Sequence, residues 1–443
     1  MNYIKWLNKL ASKEYSSLNP SLTNIAAALK NFGNPQNQYP VIHIAGTNGK
    51  GSTARLLFEV LKQSGYKTAL YTSPHLLKYN ERIRVNNNFI KDAETCTVIK
   101  SFLKENPAYK NINVCPLTYF ELITLIAFKY FELQKVDIAV IEVGLGGRFD
   151  ATNTVEKPLV SVITTIDYDH MELLGNNIKA IAKEKAGIIK PSICVVSSMQ
   201  IQEVQNVLKQ EAGKQKAKIY VSGHEFGCLL LKEDWEKNTQ QFNYIDIKNK
   251  TLIKNIEISI MGAHQLINAG LALKTLDVLK NQFKRVNEAY IRKAFSKVFW
   301  PARLQVIKRK STSGKNQTII IDGAHNPNGL RALILALKTS PYLYQKPAVV
   351  TAVMKEKKYF DMMALLSIIT KRIILYKTSN KRAVDTNILY NILKKNAPEI
   401  KVSTVEGLKK VFEAVENHKI VIFTGSLYFC AEVLEYLGKT DVK

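Results

Sequence analysis

Long apolar runs, a signal peptide and paired cysteines are all missing from this sequence. No run of about 18 apolar residues occurs, so the sequence predicts no membrane-spanning helix. Residues 1–6 lack the apolar core of a signal peptide. The five cysteines are scattered without a Cys-x-x-Cys pair, which is typical of reduced, mostly buried thiols in the cytosol. We therefore expect a cytoplasmic protein that has no membrane partner.

Acidic residues are fewer than basic ones: the sequence has 37 Asp and Glu and 63 Lys and Arg, which gives a net charge of +26. The lysines are spread along the whole chain rather than clustered. Three interpretations stay open: lysine-rich solvated faces, attraction for polyanionic substrates such as nucleotides or polyacidic tails, and nucleic-acid binding. No basic stripe interleaved with aromatic residues occurs, so nucleic acid is the least favoured partner and we expect none.

The stretch from Val41 to Thr53 is the feature around which the rest of the chain is organised. An apolar run over residues 41–45 predicts a buried strand, and the apolar spacing of residues 54–61 predicts a helix. Glycines between them let the backbone turn tightly, so that N–H groups and the helix N-terminus face an anion. The predicted phosphate-binding loop consists of Gly46, Thr47, Asn48, Gly49, Lys50, Gly51 and Ser52.

The loop departs from the common P-loop pattern at two positions. Ile44 stands where that pattern has its first glycine, and Gly51 stands where it has Ser or Thr. A plain glycine-rich turn between a strand and a helix is the alternative, and a lysine placed between two glycines makes it less favourable. The departure favours a particular nucleotide-binding family over a generic motor ATPase.

Strands that alternate with helices predict an α/β fold with a doubly wound, mostly parallel sheet. The expected strands are residues 41–45, 67–72, 136–141, 159–164 and 193–196, after a polar helical segment over residues 1–40. Alternating apolar and polar residues from about 219 to 261 predict a small antiparallel appendage. Near residues 299–303 we place a linker to a second, Rossmann-like α/β domain with strands at 318–321, 348–351, 372–376 and 420–424. We expect domains at residues 1–299 and 300–443.

Four chemically capable side chains are expected at the carboxyl ends of the strands, where open α/β sheets bind ligands: Lys50, Ser73, Glu142 and His170. Glu142 follows an uninterrupted apolar run, where an unpaired carboxylate is costly, so it is expected to ligate a cation or to pair with a base. A hydroxyl, a carboxylate and an imidazole can complete an Mg²⁺ shell with water and phosphate oxygens, although imidazole is an unusual ligand for Mg²⁺. For His170 alone, a capping or hydrogen-bonding role is the favoured alternative.

Ten motifs, in order along nearly the whole chain, resemble the folylpolyglutamate synthase and dihydrofolate synthase family of the Mur ligase superfamily. They are residues 46–52, 72–76, 80–83, 117–121, 142–153, 169–170, 184–188, 264–269, 301–305 and 322–327. The resemblance implies an acid–amino-acid ligase in which ATP converts a substrate carboxylate to an acyl phosphate, which the amine of L-glutamate then attacks. Such a transfer needs positioning and charge neutralisation more than covalent help from the protein.

The resemblance also implies roles for the nucleotide and metal residues. Lys50 and the loop N–H groups hold the β- and γ-phosphates, while Ser73, Glu142 and His170 hold Mg²⁺. Lys185 in the family is carbamylated and binds a second Mg²⁺, whereas on its own this lysine is typical of a solvated helix face. The remaining nucleotide contacts implied by the resemblance are Asn268, Arg303 and Asp322.

The substrate residues follow from the same resemblance. Thr118 and Phe120 match the pterin site, although Phe120 can equally be a core aromatic residue. His325 and Ser426 are expected to face the incoming glutamate or the acyl phosphate, with a helix N-cap or a turn as the alternative for Ser426. Arg82 is added as a substrate contact. The catalytic residues are then Lys50, Lys185 and His325.

Two other functions stay open. A cell-wall ligase of the Mur type usually has Thr directly after the loop lysine, whereas Gly51-Ser52 here and the loop at residues 73–75 favour the folate branch. A P-loop nucleotidase or nucleic-acid translocase is motivated by the charge, and DNA-independent ATP turnover that requires an amino acid excludes it. We expect a monomer that uses ATP, L-glutamate and dihydropteroate or reduced folates, with both synthase activities.

Overall fold

The computed structural model describes residues 2–11, 21–311, 313–378 and 380–438. It shows two α/β domains, each built on a mostly parallel sheet, and a small antiparallel sheet beside the first. The predicted fold class is therefore confirmed. The predicted division between residues 299 and 300 stays a prediction.

The N-terminal sheet has eight strands in the order β4-β3-β2-β5-β1-β6-β7-β8. They are β1 (Val41–Ala45), β2 (Thr68–Tyr71), β3 (Ile83–Val85), β4 (Asn88–Phe89), β5 (Ile138–Glu142), β6 (Val160–Ile163), β7 (Val195–Ser197) and β8 (Ile219–Val221). All neighbours pair in parallel except those in the edge formed by β2, β3 and β4. Strand β1 lies between β5 and β6, with Ile44 beside Glu142 and Ala45 beside Ile163, so the carboxyl ends of these strands are level.

Helices cover both faces of this sheet, as the continuous apolar runs of its strands require. They are α1 (Tyr3–Ala11), α2 (Thr23–Asn31), α3 (Lys50–Gln63), α4 (Asp92–Glu105), α5 (Tyr119–Leu133), α6 (Met171–Leu174), α7 (Ile178–Ala186), α8 (Gln202–Lys214), α9 (Ala263–Val278) and α10 (Glu288–Phe295). Val41 packs with α1, α2, α4 and α5, whereas Ile42 and Ile44 pack with α3, α9 and α10. The helical part of the expectation for residues 1–40 is confirmed by α1 and α2, but the segment is not wholly polar, because Trp6 and Leu7 of α1 are buried in the first of these clusters.

The antiparallel appendage consists of β9 (Phe226–Asp234), β10 (Thr239–Asp246) and β11 (Thr251–Ile258). The prediction that it begins at residue 219 is wrong. Residues 219–221 form β8, which pairs in parallel with β7, because α8 carries the chain back across the sheet before β8 begins. A buried ion pair, Lys274 Nζ to Asp246 Oδ2 at 2.5 Å, fastens the appendage to α9.

The C-terminal domain has a six-stranded sheet in the order β12-β13-β17-β14-β15-β16, parallel except for β12. Its strands are β12 (Gln305–Lys310), β13 (Asn316–Ile321), β14 (Ala348–Thr351), β15 (Arg372–Lys377), β16 (Lys401–Glu406) and β17 (Ile420–Thr424). Its helices are α11 (Pro327–Thr339), α12 (Tyr359–Ile369), α13 (Thr386–Asn396), α14 (Leu408–Ala414) and α15 (Leu427–Tyr436). Sequence analysis missed both edge strands, β12 and β16, because charged residues interrupt their apolar pattern, as is common at sheet edges.

In the described part of the chain, no helix has both the length and the apolar character that a bilayer crossing requires.

Candidate active site

The predicted phosphate loop is the turn between β1 and α3. Its glycines are required by close contacts as well as by backbone conformation. A Cβ atom on Gly46, which has φ of 145°, would lie 1.9 Å from Thr164 Oγ1. A Cβ atom on Gly49, which has φ of 92°, would lie 2.3 Å from Asn268 Oδ1. The loop is therefore packed between the end of β6 and helix α9, with α3 starting at Lys50.

Two lysine amines share one carbonyl oxygen of this loop. Lys50 Nζ donates to Gly46 O at 3.0 Å and to Thr47 O at 3.0 Å. Lys185 Nζ, from α7, donates to the same Gly46 O at 2.9 Å. Burial, with Lys50 beside it, lowers the pKa of Lys185 to about 7. An amine with such a pKa is largely uncharged in mildly alkaline solution, unlike an ordinary lysine.

Glu142 ends β5 directly beside the loop. Its side chain is buried, and its Oε2 accepts the N–H of Ser73 at 3.1 Å. Burial raises the pKa of Glu142, and the nearby Lys50 opposes that rise. A buried carboxylate beside a hydroxyl residue is a fitting ligand set for a hard divalent cation. Among the described residues no cluster of three or more His, Cys, Asp and Glu side chains occurs, so an Mg²⁺ ion here would depend on substrate oxygens and water.

His170 and Asp169 follow β6 and meet the C-terminal domain. Lys357, from the loop after β14, donates to Asp169 Oδ1 at 2.7 Å and lies 3.2 Å from His170 Nε2. Burial, then Lys357, lowers the pKa of His170 to about 4, so this imidazole is neutral at pH 7. His325 lies on the other side of Asp169, with Nε2 at 3.8 Å from Oδ2. Its pKa is also lowered to about 4, mainly by burial.

The predicted nucleotide contacts come from both domains. Asn268 of α9 donates to Gln265 Oε1 at 2.9 Å. Asp322, after β13, accepts the N–H of Leu304 at 2.8 Å, which fixes the turn that carries Arg303. Leu304 and its neighbour Ala302 have φ of 45° and 55°, a left-handed conformation that is uncommon for residues with side chains. The turn places Arg303 in the lining of the same cleft as the phosphate loop.

One cleft between the domains brings most of the predicted residues together. Its lining includes all seven loop residues together with Ser73, Glu142, His170, Lys185, Asn268, Arg303, Asp322 and His325. An adjoining cavity contains Arg82, Phe120 and Ser426 and shares His170 and His325 with the cleft.

The four residues predicted to bind substrate differ in the contacts that they make in the structure. Ser426 is at the N-cap of α15 but makes no capping hydrogen bond, and its buried Oγ has no partner within the described residues. Phe120 packs against Gly144, where a Cβ atom would lie 2.3 Å from the ring. Arg82 Nε donates to His75 Nδ1 at 2.9 Å. Thr118 is in the lining of neither cavity, and its hydroxyl caps α5 by accepting the N–H of Glu121 at 3.1 Å.

Sequence analysis did not single out Lys357, Arg382 or Asn328, which also line these cavities. Lys357 lies in the charged run 355–358, which looks like a solvated loop. Lys357 follows the apolar strand β14, and ligands bind beyond the carboxyl ends of such strands, so this position could have marked Lys357 as a candidate.

Comparison with known proteins gives matches along the whole chain. Residues 44–276 match the Mur ligase middle domain, and residues 302–427 match the Mur ligase glutamate ligase domain. A dihydrofolate synthase/folylpolyglutamate synthase of Bacillus subtilis is 32% identical over 94% of this chain and 95% of its own length. A folylpolyglutamate synthase of Lacticaseibacillus casei is 33% identical over 99% of both chains.

Solved structures agree with these matches. The folylpolyglutamate synthase of Mycobacterium tuberculosis complexed with ADP superposes with a TM-score of 0.87 at 29% identity, covering 99% of this chain and 98% of that one. A folylpolyglutamate synthase complex with AMPPCP and folate superposes with a TM-score of 0.80 at 32% identity, covering 99% of this chain and all of that one.

Proposed function

This chain belongs to the Mur ligase family, in the branch of the dihydrofolate and folylpolyglutamate synthases, and we propose that it adds L-glutamate both to dihydropteroate and to reduced folates. It is an ATP-dependent glutamate ligase of folate metabolism. The observation that carries the proposal is the cleft in which the phosphate loop and Lys185 face Arg303 and Asp322 of the other domain. A nucleotide held there touches both domains, so their closure must precede the chemistry.

The phosphate loop and Lys50 are proposed to hold the β- and γ-phosphates of ATP. Loop N–H groups and the start of α3 provide the anion site, and Lys50 adds a positive charge close to Gly46 and Thr47. Asn268, Arg303 and Asp322 are proposed to contact the rest of the nucleotide. These contacts would orient the γ-phosphate toward the substrate carboxylate, which is the main contribution a protein makes to phosphoryl transfer.

Ser73, Glu142 and His170 are proposed to hold Mg²⁺, and Lys185 to bind a second ion as a carbamate. The bound metal supplies positive charge that neutralises the phosphate oxygens. Glu142 fits this role, because its carboxylate is buried and a cation would offset the cost of its charge. Lys185 fits as well, because only an uncharged amine adds to carbon dioxide, and its pKa is about 7. Lys357 lies against His170 Nε2 and would have to move for that nitrogen to bind a metal.

His325 and Ser426 are proposed to act on the incoming glutamate in the second cavity. His325 Nδ1 lies 2.8 Å from Gly323 O, and since a carbonyl can only accept, Nδ1 carries the proton. Its neutral Nε2 is then free to take a proton from the amine that attacks the acyl phosphate. The Ser426 hydroxyl, which has no hydrogen-bond partner in the described part of the chain, would orient the amino acid. Phe120 and Thr118 are proposed pterin-site contacts and Arg82 is a proposed substrate contact, and for Thr118 its capping role is the alternative.

The test is ADP release by purified protein with Mg²⁺, ATP and glutamate, with dihydropteroate or tetrahydrofolate added in separate reactions. We expect turnover with each substrate and none without glutamate. Turnover with tetrahydrofolate alone would remove the dihydrofolate synthase half of the proposal. No ADP release with either substrate would favour the alternative of a cell-wall substrate. The monomeric state, the cytoplasmic location and the division into residues 1–299 and 300–443 stay predictions.

A further inference from the structure

A closed ring of hydrogen bonds joins the phosphate loop to the C-terminal domain, and the roles assigned above do not use it. Asn48 Nδ2 donates to Asn328 Oδ1 at 2.7 Å, and Asn328 Nδ2 donates to Asp167 Oδ2 at 2.8 Å. Thr47 Oγ1 donates to the Asp167 carbonyl at 2.9 Å and accepts the Asp167 N–H at 3.1 Å. Because Thr47 and Asn48 are adjacent, the ring closes. Asn328, in the first turn of α11, is its member from the C-terminal domain.

The direction of each side-chain hydrogen bond in the ring is fixed. A carboxylate only accepts, so Asn328 must turn its amide nitrogen to Asp167 and its oxygen to Asn48. Asn326 adds a second contact, since its Nδ2 donates to Asn48 Oδ1 at 3.2 Å. The Asn326 oxygen also accepts the N–H of Gly329 at 2.8 Å and so caps α11. Asn48 therefore contacts the start of a helix that belongs to the other domain.

The loop is held from two sides by these contacts. On the side of the N-terminal sheet, the N–H groups of Thr47 and Asn48 donate to Thr165 O at 2.8 and 3.2 Å. On the other side, Asn48 depends on Asn328 and Asn326. If the C-terminal domain moves away, Asn48 loses both of these side-chain partners and Asp167 Oδ2 loses the donor Asn328, while Oδ1 keeps the N–H of Tyr168.

We propose that Asn328 and Asp167 form an interdomain latch that sets the phosphate loop in its working geometry when the domains close. Asn328 is a positioning residue, because it acts on the nucleotide through Asn48. The latch rests on the proposed function in one respect, namely that a nucleotide binds this cleft. It aligns the phosphates on the loop with Arg303 of the opposite wall.

An exchange of donor and acceptor tests the latch. Asn328→Asp keeps an oxygen for Asn48 but places a carboxylate against the carboxylate of Asp167. Asp167→Asn leaves a single amide oxygen for two donors, the N–H of Tyr168 and Nδ2 of Asn328, both of which the carboxylate accepted. In the double variant, the new amide at position 167 donates to the new carboxylate at position 328, and the ring is restored with that one hydrogen bond reversed. Asn391→Asp, on the exposed side of α13, is the matched control for the change of charge.

The readouts are kcat and KM for ATP, the affinity for AMPPCP by calorimetry, and the melting temperature. We expect each single variant to lower kcat/KM by about 10- to 100-fold, as the loss of a positioned hydrogen bond to a charged group does. The double variant should return to within about threefold of the wild type, because the two side chains are coupled. A merely structural role would instead lower the melting temperatures of the single variants. Asn391→Asp and all melting temperatures should match the wild type.

Two results would overturn the latch: single variants that behave like the wild type, or a double variant at least as impaired as the worse single one. AMPPCP affinity is measured without folate or glutamate. A wild-type protein that binds AMPPCP but makes no glutamylated product would therefore refute the proposed function. The latch would then be tested by comparing the AMPPCP affinities of the wild type, the single variants and the double variant.

Discussion

Replacing Lys185 puts the electrostatics of the site to a sharp test, because this buried amine lies beside a second lysine. The Nζ atoms of Lys50 and Lys185 both lie within 3.0 Å of Gly46 O. They are therefore no more than about 6 Å apart, and at an effective dielectric constant of about 20 two positive charges at that distance repel by about 3 kcal/mol. Burial and this repulsion together hold the pKa of Lys185 at about 7.

A carbamate on Lys185 would attract Lys50 by about 3 kcal/mol, so the Coulomb interaction with Lys50 changes by about 6 kcal/mol relative to the protonated amine and by about 3 kcal/mol relative to the neutral amine. We expect Lys185→Ala to lower kcat by about 100- to 1,000-fold, the usual loss when a preorganised charged group is removed. Lys183→Ala, on the exposed side of the same helix, is the control and should leave kcat unchanged.

The assay is ADP formation in carbon dioxide-depleted buffer, with and without added bicarbonate, beside the native mass of the protein. Wild type and Lys183→Ala should gain activity with bicarbonate, and Lys185→Ala should not respond. The gain should grow with pH, because the uncharged fraction of an amine with a pKa of about 7 rises from about one half at pH 7 to about nine-tenths at pH 8. Near-normal turnover by Lys185→Ala would refute the reasoning.

Four further outcomes follow from the same geometry. Lys50→Ala should lower kcat by at least about 1,000-fold because the phosphates lose their cation, and ADP formation close to wild type would contradict the loop assignment. Ser426→Ala should raise KM for glutamate about tenfold without lowering the free energy of unfolding, since its buried hydroxyl has no partner to lose among the described residues; an unchanged KM removes it from the site. Lys274→Met should cost about 3–5 kcal/mol in urea unfolding by leaving Asp246 buried without its cation, and a loss below about 1 kcal/mol would contradict the ion pair's role. Because the pKa of His170 is held near 4, lowering the pH should not reduce kcat through protonation of this residue until about pH 5. An inflection of kcat near pH 6.5 that persists in Lys185→Ala would contradict a buried, neutral imidazole.

The binding edge of the first sheet could be predicted because its chemistry is local. Lys50, Ser73, Glu142 and His170 each follow a strand closely in the sequence, and parallel strands bring their carboxyl ends to one edge. Lys185 could not be found in this way. It lies within a helix beside two other charged residues, and only the packing of α7 against Gly46 buries it.

Contacts between the domains could not be predicted, because they depend on the closure of distant segments. Lys357 meets Asp169 across 188 positions, and Asn328 meets Asp167 across 161. Each of these residues looks like an ordinary loop residue in its own neighbourhood. The wrong start of the antiparallel appendage has a different cause, since a three-residue strand carries too little periodicity to reveal whether it pairs in parallel.

The central claim is that ATP activates a folate carboxylate for attack by glutamate in this cleft. The most direct measurement uses tetrahydrofolate whose terminal carboxylate carries heavy oxygen, with ATP, Mg²⁺ and glutamate. The account predicts one heavy oxygen in each inorganic phosphate released, together with a folate that is longer by one glutamate. Phosphate that takes its new oxygen from water alone, with the folate unchanged, would contradict the account and identify a nucleotidase.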